Sequence, residues 1–446
     1  MGFREILVYD FGMRYIIEGP NVAYGTVRVS GAKNFSIKAL VASVLNLGVT
    51  EYHNLPNNSD VERTLNMLRY LGAKISQNGE VCNVDTSQIR NVLDDDSNAN
   101  MVIFLIGAAL IHRFDFVKIP KNKGCPLGMR LDDFHIMIFN EFGISCAEKE
   151  GYYVLEKSRD LQGAKIVFPY PSVGATETAI FMGIYANGVT VIDNAAIEPE
   201  ICALITQLVA IGACIYFESD RRIVIHGIKP FSGNSRVEIH GDLLEAATWG
   251  VMAAVTDGEI TVTGVIPEQI GSFLGIFNLM GGRIERVGQD SIKFSKNHAH
   301  KRKNVLLESG VFPALRTDLQ PLLATMATQS ENITMIHETV YDNRVDYIES
   351  FKKFGAVATG FTDCFGNECR FHDKYVHSIL VQKGQELRAP TEALKALTIR
   401  NGMAEIILAS AAIGTTVIEK VEIIERGYCG LFNKLSGLGI KITKSE

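Results

Sequence analysis

No apolar run in the 446-residue sequence approaches the roughly 20 residues that cross a bilayer, and the longest, from Met101 to Ile111, reads as a buried helix. No CxxC pair occurs among the eight cysteines (Cys82, Cys125, Cys146, Cys202, Cys214, Cys364, Cys369 and Cys429), and their scatter lacks the density of a disulfide scaffold. Only Cys364 and Cys369 are near neighbours. With His372 and His377 they raise the question of zinc, but the spacing fits no standard site, so no metal and no cofactor is expected. There is no basic excess either: 44 Lys and Arg stand against 50 Asp and Glu, a formal charge of −6. That argues against a general nucleic-acid or membrane-surface partner, and any anionic ligand must be met by local basic residues. The opening MGFREILVYDFGMRY carries charges where a secretory signal needs its apolar core, and Ile6 stands where a myristoylation signal has Ser or Thr. A soluble, cytoplasmic protein is therefore expected. Nothing in the sequence fixes an oligomeric state.

What is present is repetition. The length exceeds what one hydrophobic core usually serves, so two domains are expected. A glycine recurs after a helix-like run in YLGAKI, EFGISC, AIGACI, LMGGRI, KFGAVA and GLGIKI, at Gly72, Gly143, Gly212, Gly281, Gly355 and Gly439. Each follows an amphipathic stretch such as DVERTLNMLRYL and precedes an alternating one such as RIVIHG, which predicts helix, glycine cap and strand. Upstream lie helices rich in small residues, among them ATETAIFMGIYA and LLEAATWGVMAAV, whose composition predicts close packing and burial. The expected fold class is α/β: two domains of three modules each, sheets outside and small-residue helices inside. An ordinary two-domain α/β protein with recurrent glycine caps is the competing reading. No Pro/Gly/Ser-rich linker marks the boundary. The symmetry places it between the third and fourth units, near Gly227 to Gly241, with 33–240 as one domain and 1–32 with 241–446 as the other. The N-terminal strand then packs back on the second half.

Polar residues mark the starts of the inner helices: Lys33 and Asn34, Ser172 and Thr176, Asp242 and Glu245, Asp318, and Arg400. Before or within the second helices lie Cys125, Arg130, Glu198, Glu200, Arg344 and Arg426. Helix N-termini carry free N–H groups and a partial positive charge, so equivalent helix starts facing a shared cleft favour phosphate and carboxylate. Lys33, Arg130, Arg344, Arg400 and Arg426 strengthen such a cleft, although any one arginine taken alone reads equally as a surface ion pair. Cys125 follows Lys121 and Lys123, precedes Arg130 and lies between Gly124 and Gly128. Nearby cations lower a thiol's pKa, and glycines let a loop open and close, so a reactive thiol is favoured over plain packing.

Taken in order, SGAKN, GC-x-x-G-x-R-x-x-D, PSVGAT, NAA-x-EPEI, TDLQ, the DNR of YDNR, and ERGY resemble the UDP-N-acetylglucosamine 1-carboxyvinyltransferases over nearly the whole chain. They resemble the shikimate-pathway branch less, since that branch lacks the cysteine loop. The resemblance implies the EPSP synthase-like fold of two inside-out α/β domains, with the active site between them. It implies binding of phosphoenolpyruvate and a uridine nucleotide, and transfer of the enolpyruvyl group to the 3-hydroxyl of the UDP-sugar with loss of phosphate. By the same resemblance Cys125 is the acid at C3 of phosphoenolpyruvate and Asp318 the base at the acceptor hydroxyl. Lys33, counted with Cys125 and Asp318 among the catalytic residues, binds phosphoenolpyruvate together with Arg130, Arg344, Arg400 and Arg426. Asn34, Arg130, Asp133, His135, Ser172, Val173, Gly174, Asp318 and Val340 bind the nucleotide-sugar. It further implies a place at the first committed step of peptidoglycan synthesis and sensitivity to fosfomycin.

The departures gather around the substrates. Met101 stands where the family usually has arginine, Thr398 where it has an acid ahead of Arg400, and Phe168, Pro169 and Tyr170 precede PSVGAT. Arg316 precedes Asp318 in an altered turn. Another uridine nucleotide as acceptor, such as UMP in peptidyl-nucleoside antibiotic synthesis, is therefore the second reading, and a non-catalytic nucleotide-binding paralogue the third.

Overall fold

The six punctuating glycines, at positions 72, 143, 212, 281, 355 and 439, all adopt a left-handed backbone with φ between 77° and 105°. That conformation costs an L-residue roughly 1–2 kcal/mol and glycine little. Each closes a helix: Ser59–Leu71, Asp133–Glu141, Pro199–Ala210, Gly271–Leu279, Tyr347–Lys353 and Leu431–Gly437. At the first of these, Gly72 N–H donates to Arg69 O and Ala73 N–H to Leu68 O, both over 2.9 Å, which satisfies carbonyls the helix end leaves open. The computed structural model describes residues 12–121, 132–299, 303–330, 332–342, 344–365, 369, 371 and 374–445. Cys125 and Arg130, on which the sequence reading places an acid and an anion clamp, lie outside the described residues, as does His372.

Every module has one plan. In the first, the helix Lys33–Ala42 leads to strand Val49–His53, the helix Ser59–Leu71, and the hairpin Lys74–Asn78 with Val81–Asp85. Asn58 starts the second helix, its Oδ1 accepting from the N–H groups of Asp60 and Val61 at 3.1 Å. Buried Val61, Leu65, Leu68 and Leu71 then recur at helical spacing. The strands Val49–His53 and Val81–Asp85 alternate buried and partly exposed residues, so their sheet has a core face and a wet one.

The sheets repeat an order as well. The module's first strand pairs in parallel with a strand from outside the helix-strand-helix run, and the third strand lies between the first and second. Two departures are informative. In the second module the parallel partner shrinks to a bridge between Val92 and Lys118, leaving a three-stranded sheet. In the sixth the third-strand position is filled by the N-terminal strand Arg14–Gly19, which pairs antiparallel with both Gly414–Glu419 and Ile442–Ser445.

The inner helices Ile103–Leu110 and Gln320–Ala327 are buried at every position. Val173–Gly183 and Ile399–Ala411 are buried over nearly all their length. Small residues make this possible. A Cβ added at Gly107 would stand 2.9 Å from Leu155 Cδ1 and 3.0 Å from Ile119 Cδ1, and one at Gly250 about as close to the Phe294 ring. The helices thus lie directly on the inner faces of their sheets, and each fully buried large apolar side chain contributes roughly 1.5–3 kcal/mol.

The chain divides into two units. The first comprises Ser30–Leu243 and Gly310–Arg316, and the second the chain up to Val29, Leu244–Ser309 and Thr317–Glu446. Within the first, the segments around Gly31 and Gly241 bridge antiparallel, and Asp242 N–H donates to Ser30 O at 2.8 Å. Among the described residues no helix is long and apolar enough to cross a membrane.

Candidate active site

In the first unit, Lys33 opens its inner helix with its own N–H held by Asp242 Oδ2 at 3.2 Å. Its buried ammonium lies 3.0 Å from Asp60 Oδ2, in the first turn of the helix that Asn58 caps. An ammonium carries three N–H donors, so Asp60 neutralises Lys33 without exhausting it. Asn34, the next residue, is partly exposed.

A second group forms where the helices Asp133–Glu141 and Val173–Gly183 pack together. Ser172 caps the latter, accepting from Ala175 N–H at 3.4 Å. His135 stacks on Phe104 at 4.3 Å with the rings nearly parallel, and its Nδ1 lies 2.9 Å from Thr178 Oγ1. A Cβ at Gly174 would sit 3.5 Å from the His135 ring. Burial pushes the His135 pKa down to about 4, so at neutral pH the imidazole is uncharged. The structure therefore brings His135 against Gly174, with Asp133 exposed beside it and Ser172 and Val173 partly exposed.

Behind these lie ion pairs that linear reading did not find. Lys38 and Glu177, both buried on inner helices, meet at 2.7 Å. Burial raises the Glu177 carboxyl to about 7 against the pull of Lys38. Glu200 pairs with Arg316 at 2.7 Å. Burial alone would raise the Glu200 pKa, but Arg316, with help from Lys38 and a backbone hydrogen bond, outweighs it and the net shift is downward. Glu198 is raised, chiefly by burial. Arg316, a departure in the turn before Asp318, thus answers a buried acid of its own unit.

In the second unit, Asp318 lies in the turn before the inner helix Gln320–Ala327. Its Oδ1 accepts from Arg344 Nη2 at 2.9 Å, and Arg400 Nε stands 3.6 Å from the same oxygen. Both arginines are buried, whereas the Asp318 side chain is 32% exposed. Arg400 also donates to Tyr428 Oη at 2.7 Å, and that hydroxyl lies 2.8 Å from Thr248 Oγ1. Arg426 is two residues from Tyr428, at the end of the short helix Glu422–Glu425. Thr398 caps the helix that carries Arg400, accepting from Asn401 N–H at 3.2 Å, so this departure keeps a capping oxygen.

Glu338 was missed by sequence reading. Fully buried, it accepts from Thr317 Oγ1 at 2.8 Å, Val340 N–H at 2.6 Å and Tyr341 N–H at 3.1 Å. One carboxylate so ties the residue before Asp318 to the turn carrying Val340. Nothing in the local sequence distinguishes it from a surface glutamate.

A pocket of about 290 Å³ in the same unit is lined by Asp346, Lys353, Lys395, Asn401 and Glu405, among others. Asp318, Arg344 and Arg400 do not line it. Burial raises the pKa of both Asp346 and Glu405.

Comparison with known proteins identifies the family. The EPSP synthase (3-phosphoshikimate 1-carboxyvinyltransferase) family matches residues 17–435. The UDP-N-acetylglucosamine 1-carboxyvinyltransferase of Protochlamydia amoebophila is 35% identical over 438 residues, covering 95% of this chain and 92% of the relative. That of Chlamydia trachomatis serovar D is 35% identical, covering 95% and 96%. Among solved structures, the enolpyruvyl transferase NikO from Streptomyces tendae superposes with a TM-score of 0.84 at 21% identity, covering 97% of this chain and 99% of the other. EPSP synthase from Acinetobacter baumannii does so with 0.71 at 16% identity, covering 98% and 100%. At those identities the structures speak for the fold alone.

Proposed function

The chain belongs to the EPSP synthase family and is an enolpyruvyl transferase, and from that premise we propose that it transfers the enolpyruvyl group of phosphoenolpyruvate to the 3-hydroxyl of UDP-N-acetylglucosamine. The observation that carries the acceptor is the 35% identity, across 95% of the chain, to enzymes named for that reaction. In this reading the acceptor oxygen adds to C2 of phosphoenolpyruvate while C3 gains a proton. The tetrahedral intermediate then gives up a proton from C3 and expels phosphate by C–O cleavage, which restores the double bond.

Asp318 takes the hydroxyl proton and Cys125 supplies the one at C3. Arg344, Arg400 and Arg426 bind the anionic groups of phosphoenolpyruvate together with Lys33 and Arg130. Asn34, Asp133, His135, the turn 172–174 and Val340 hold the nucleotide-sugar. The Asp318 pairing supports a coupling between binding and catalysis. The two arginines engage its carboxylate, and an anionic substrate competes for those cations. Binding of phosphoenolpyruvate then frees Asp318 to act.

Met101 and Thr398 favour a second reading, in which the same chemistry serves another uridine nucleotide such as UMP. An acceptor screen separates the two. Phosphate release with phosphoenolpyruvate is measured in the presence of UDP-N-acetylglucosamine, UMP or no acceptor. Turnover with UMP and none with the UDP-sugar would reject the first reading.

A further inference from the structure

One connection breaks the modular plan. The loop joining the second and third strands spans 79–80, 150–151, 220–221 and 287–290 in four modules, but 362–377 in the fifth. A connection of that length in a compact domain needs something to hold it. Cys364, Cys369 and His377 lie in it, and His337 ends the neighbouring strand Thr334–His337. One ligating atom from each of these four residues lies within 4.8 Å of all the others.

The pairings are those of a tetrahedral metal shell. Cys364 Sγ and Cys369 Sγ are 3.8 Å apart. Two sulfurs each about 2.3 Å from a tetrahedral zinc stand about 3.8 Å apart, whereas a disulfide needs about 2.05 Å. Cys364 Sγ is 3.3 Å from His377 Nε2, and the two imidazole rings are 5.2 Å apart. Both rings are oriented from behind. His377 Nδ1 faces Tyr375 O at 2.7 Å, and His337 Nδ1 faces Glu308 Oε2 at 3.2 Å, its register partner on the parallel strand. An acceptor at Nδ1 fixes the proton there and leaves the Nε2 lone pair for a metal, the arrangement typical of metal-ligating histidines. His337 is fully buried, and its Nε2 has no hydrogen-bond partner among the described residues. A buried polar atom left without a partner is costly, and a bound cation removes that cost.

We propose that His337, Cys364, Cys369 and His377 form a structural zinc site. Two thiolates with two imidazoles, three of the four residues buried and Cys364 half-buried, select zinc over hard cations, and four protein ligands leave no open position for catalysis. The ion pins the 362–377 connection to the end of the sheet. It also fixes His337, whose chain neighbour Glu338 accepts from Val340 N–H and from Thr317, the residue before Asp318. Linear spacing conceals the site because His337 comes from another strand.

The test uses the full-length protein, with metal content and spectra as readouts separate from turnover. Protein purified without chelator is expected to carry stoichiometric zinc. After replacement by cobalt(II) it is expected to show tetrahedral visible bands and a thiolate-to-cobalt charge-transfer band, weakened in Cys364→Ser and in Cys369→Ser. Glu308→Gln, a gentler change at a partly exposed residue, is expected to lower zinc affinity about 10–100-fold against a competing chelator. Substoichiometric zinc in the wild-type protein, no thiolate band with cobalt, or a Cys364–Cys369 disulfide in the purified protein would overturn the proposal. An unchanged affinity in Glu308→Gln would remove His337 from the ligand set.

Discussion

Arg344 Nη2 and Asp318 Oδ1 stand 2.9 Å apart, a buried guanidinium against a carboxylate that remains partly exposed. The proposed base and one of its proposed anion clamps therefore neutralise each other until an anion intervenes. Asp318→Asn is expected to lower kcat about 10²–10⁴-fold, the usual worth of a positioned general base. Because a competitor for Arg344 and Arg400 is removed, KM for phosphoenolpyruvate should stay level or fall. Steady-state kinetics on a variant with an unchanged melting temperature checks this. A kcat within tenfold of wild type would take Asp318 out of the proton transfer.

Cys125 lies outside the described residues, and its role rests on the basic, glycine-flanked loop and the family it resembles. Cys125→Ala is expected to abolish or severely slow turnover. Fosfomycin is expected to add covalently to the wild-type protein and not to the alanine variant, read by intact-protein mass spectrometry. Normal turnover in Cys125→Ala would remove the thiol from the mechanism, and absence of labelling would weaken the cysteine-loop assignment.

The plan of the fold was legible because it depends on local chemistry. A left-handed residue after a helix nearly demands glycine, so Gly72, Gly143, Gly212, Gly281, Gly355 and Gly439 announce the modules directly. Ala- and Gly-rich helices likewise announce burial. The helix-start residues Lys33, Ser172, Asp318 and Arg400 were legible for the same reason. Contacts made by tertiary register were not. Lys38 meets Glu177, Arg316 meets Glu200, and His337 meets Cys364 only because distant segments are brought together. Glu338 exerts its effect through backbone N–H groups, which no side-chain pattern reveals.

The repeat itself is testable at Gly212, where φ is 100° and an added Cβ would meet nothing within 4 Å. Gly212→Ala therefore isolates the backbone term, expected to destabilise by about 1–2 kcal/mol. Urea denaturation measures it. A neutral or stabilising effect would contradict the requirement for a left-handed cap.

Glu405 supplies a pH dependence with a definite sign. Burial holds its carboxyl at about 7 against an ordinary value of 4.5, so the folded protein keeps a proton that the unfolded chain releases. The contribution to stability is fully present below pH 4.5 and is lost as pH rises through 7. Glu405→Gln should therefore gain relative to wild type as pH climbs through that window, read from urea midpoints at several pH values. A constant difference between the two proteins would contradict the raised pKa.

Phosphoenolpyruvate labelled with ¹⁸O at the bridging oxygen, incubated with the enzyme and UDP-N-acetylglucosamine, tests acceptor and bond cleavage together. The account predicts that the label leaves in the released phosphate and that the sugar carries a 1-carboxyvinyl ether on its 3-oxygen. No turnover with this acceptor, or phosphate released without the label, would contradict it.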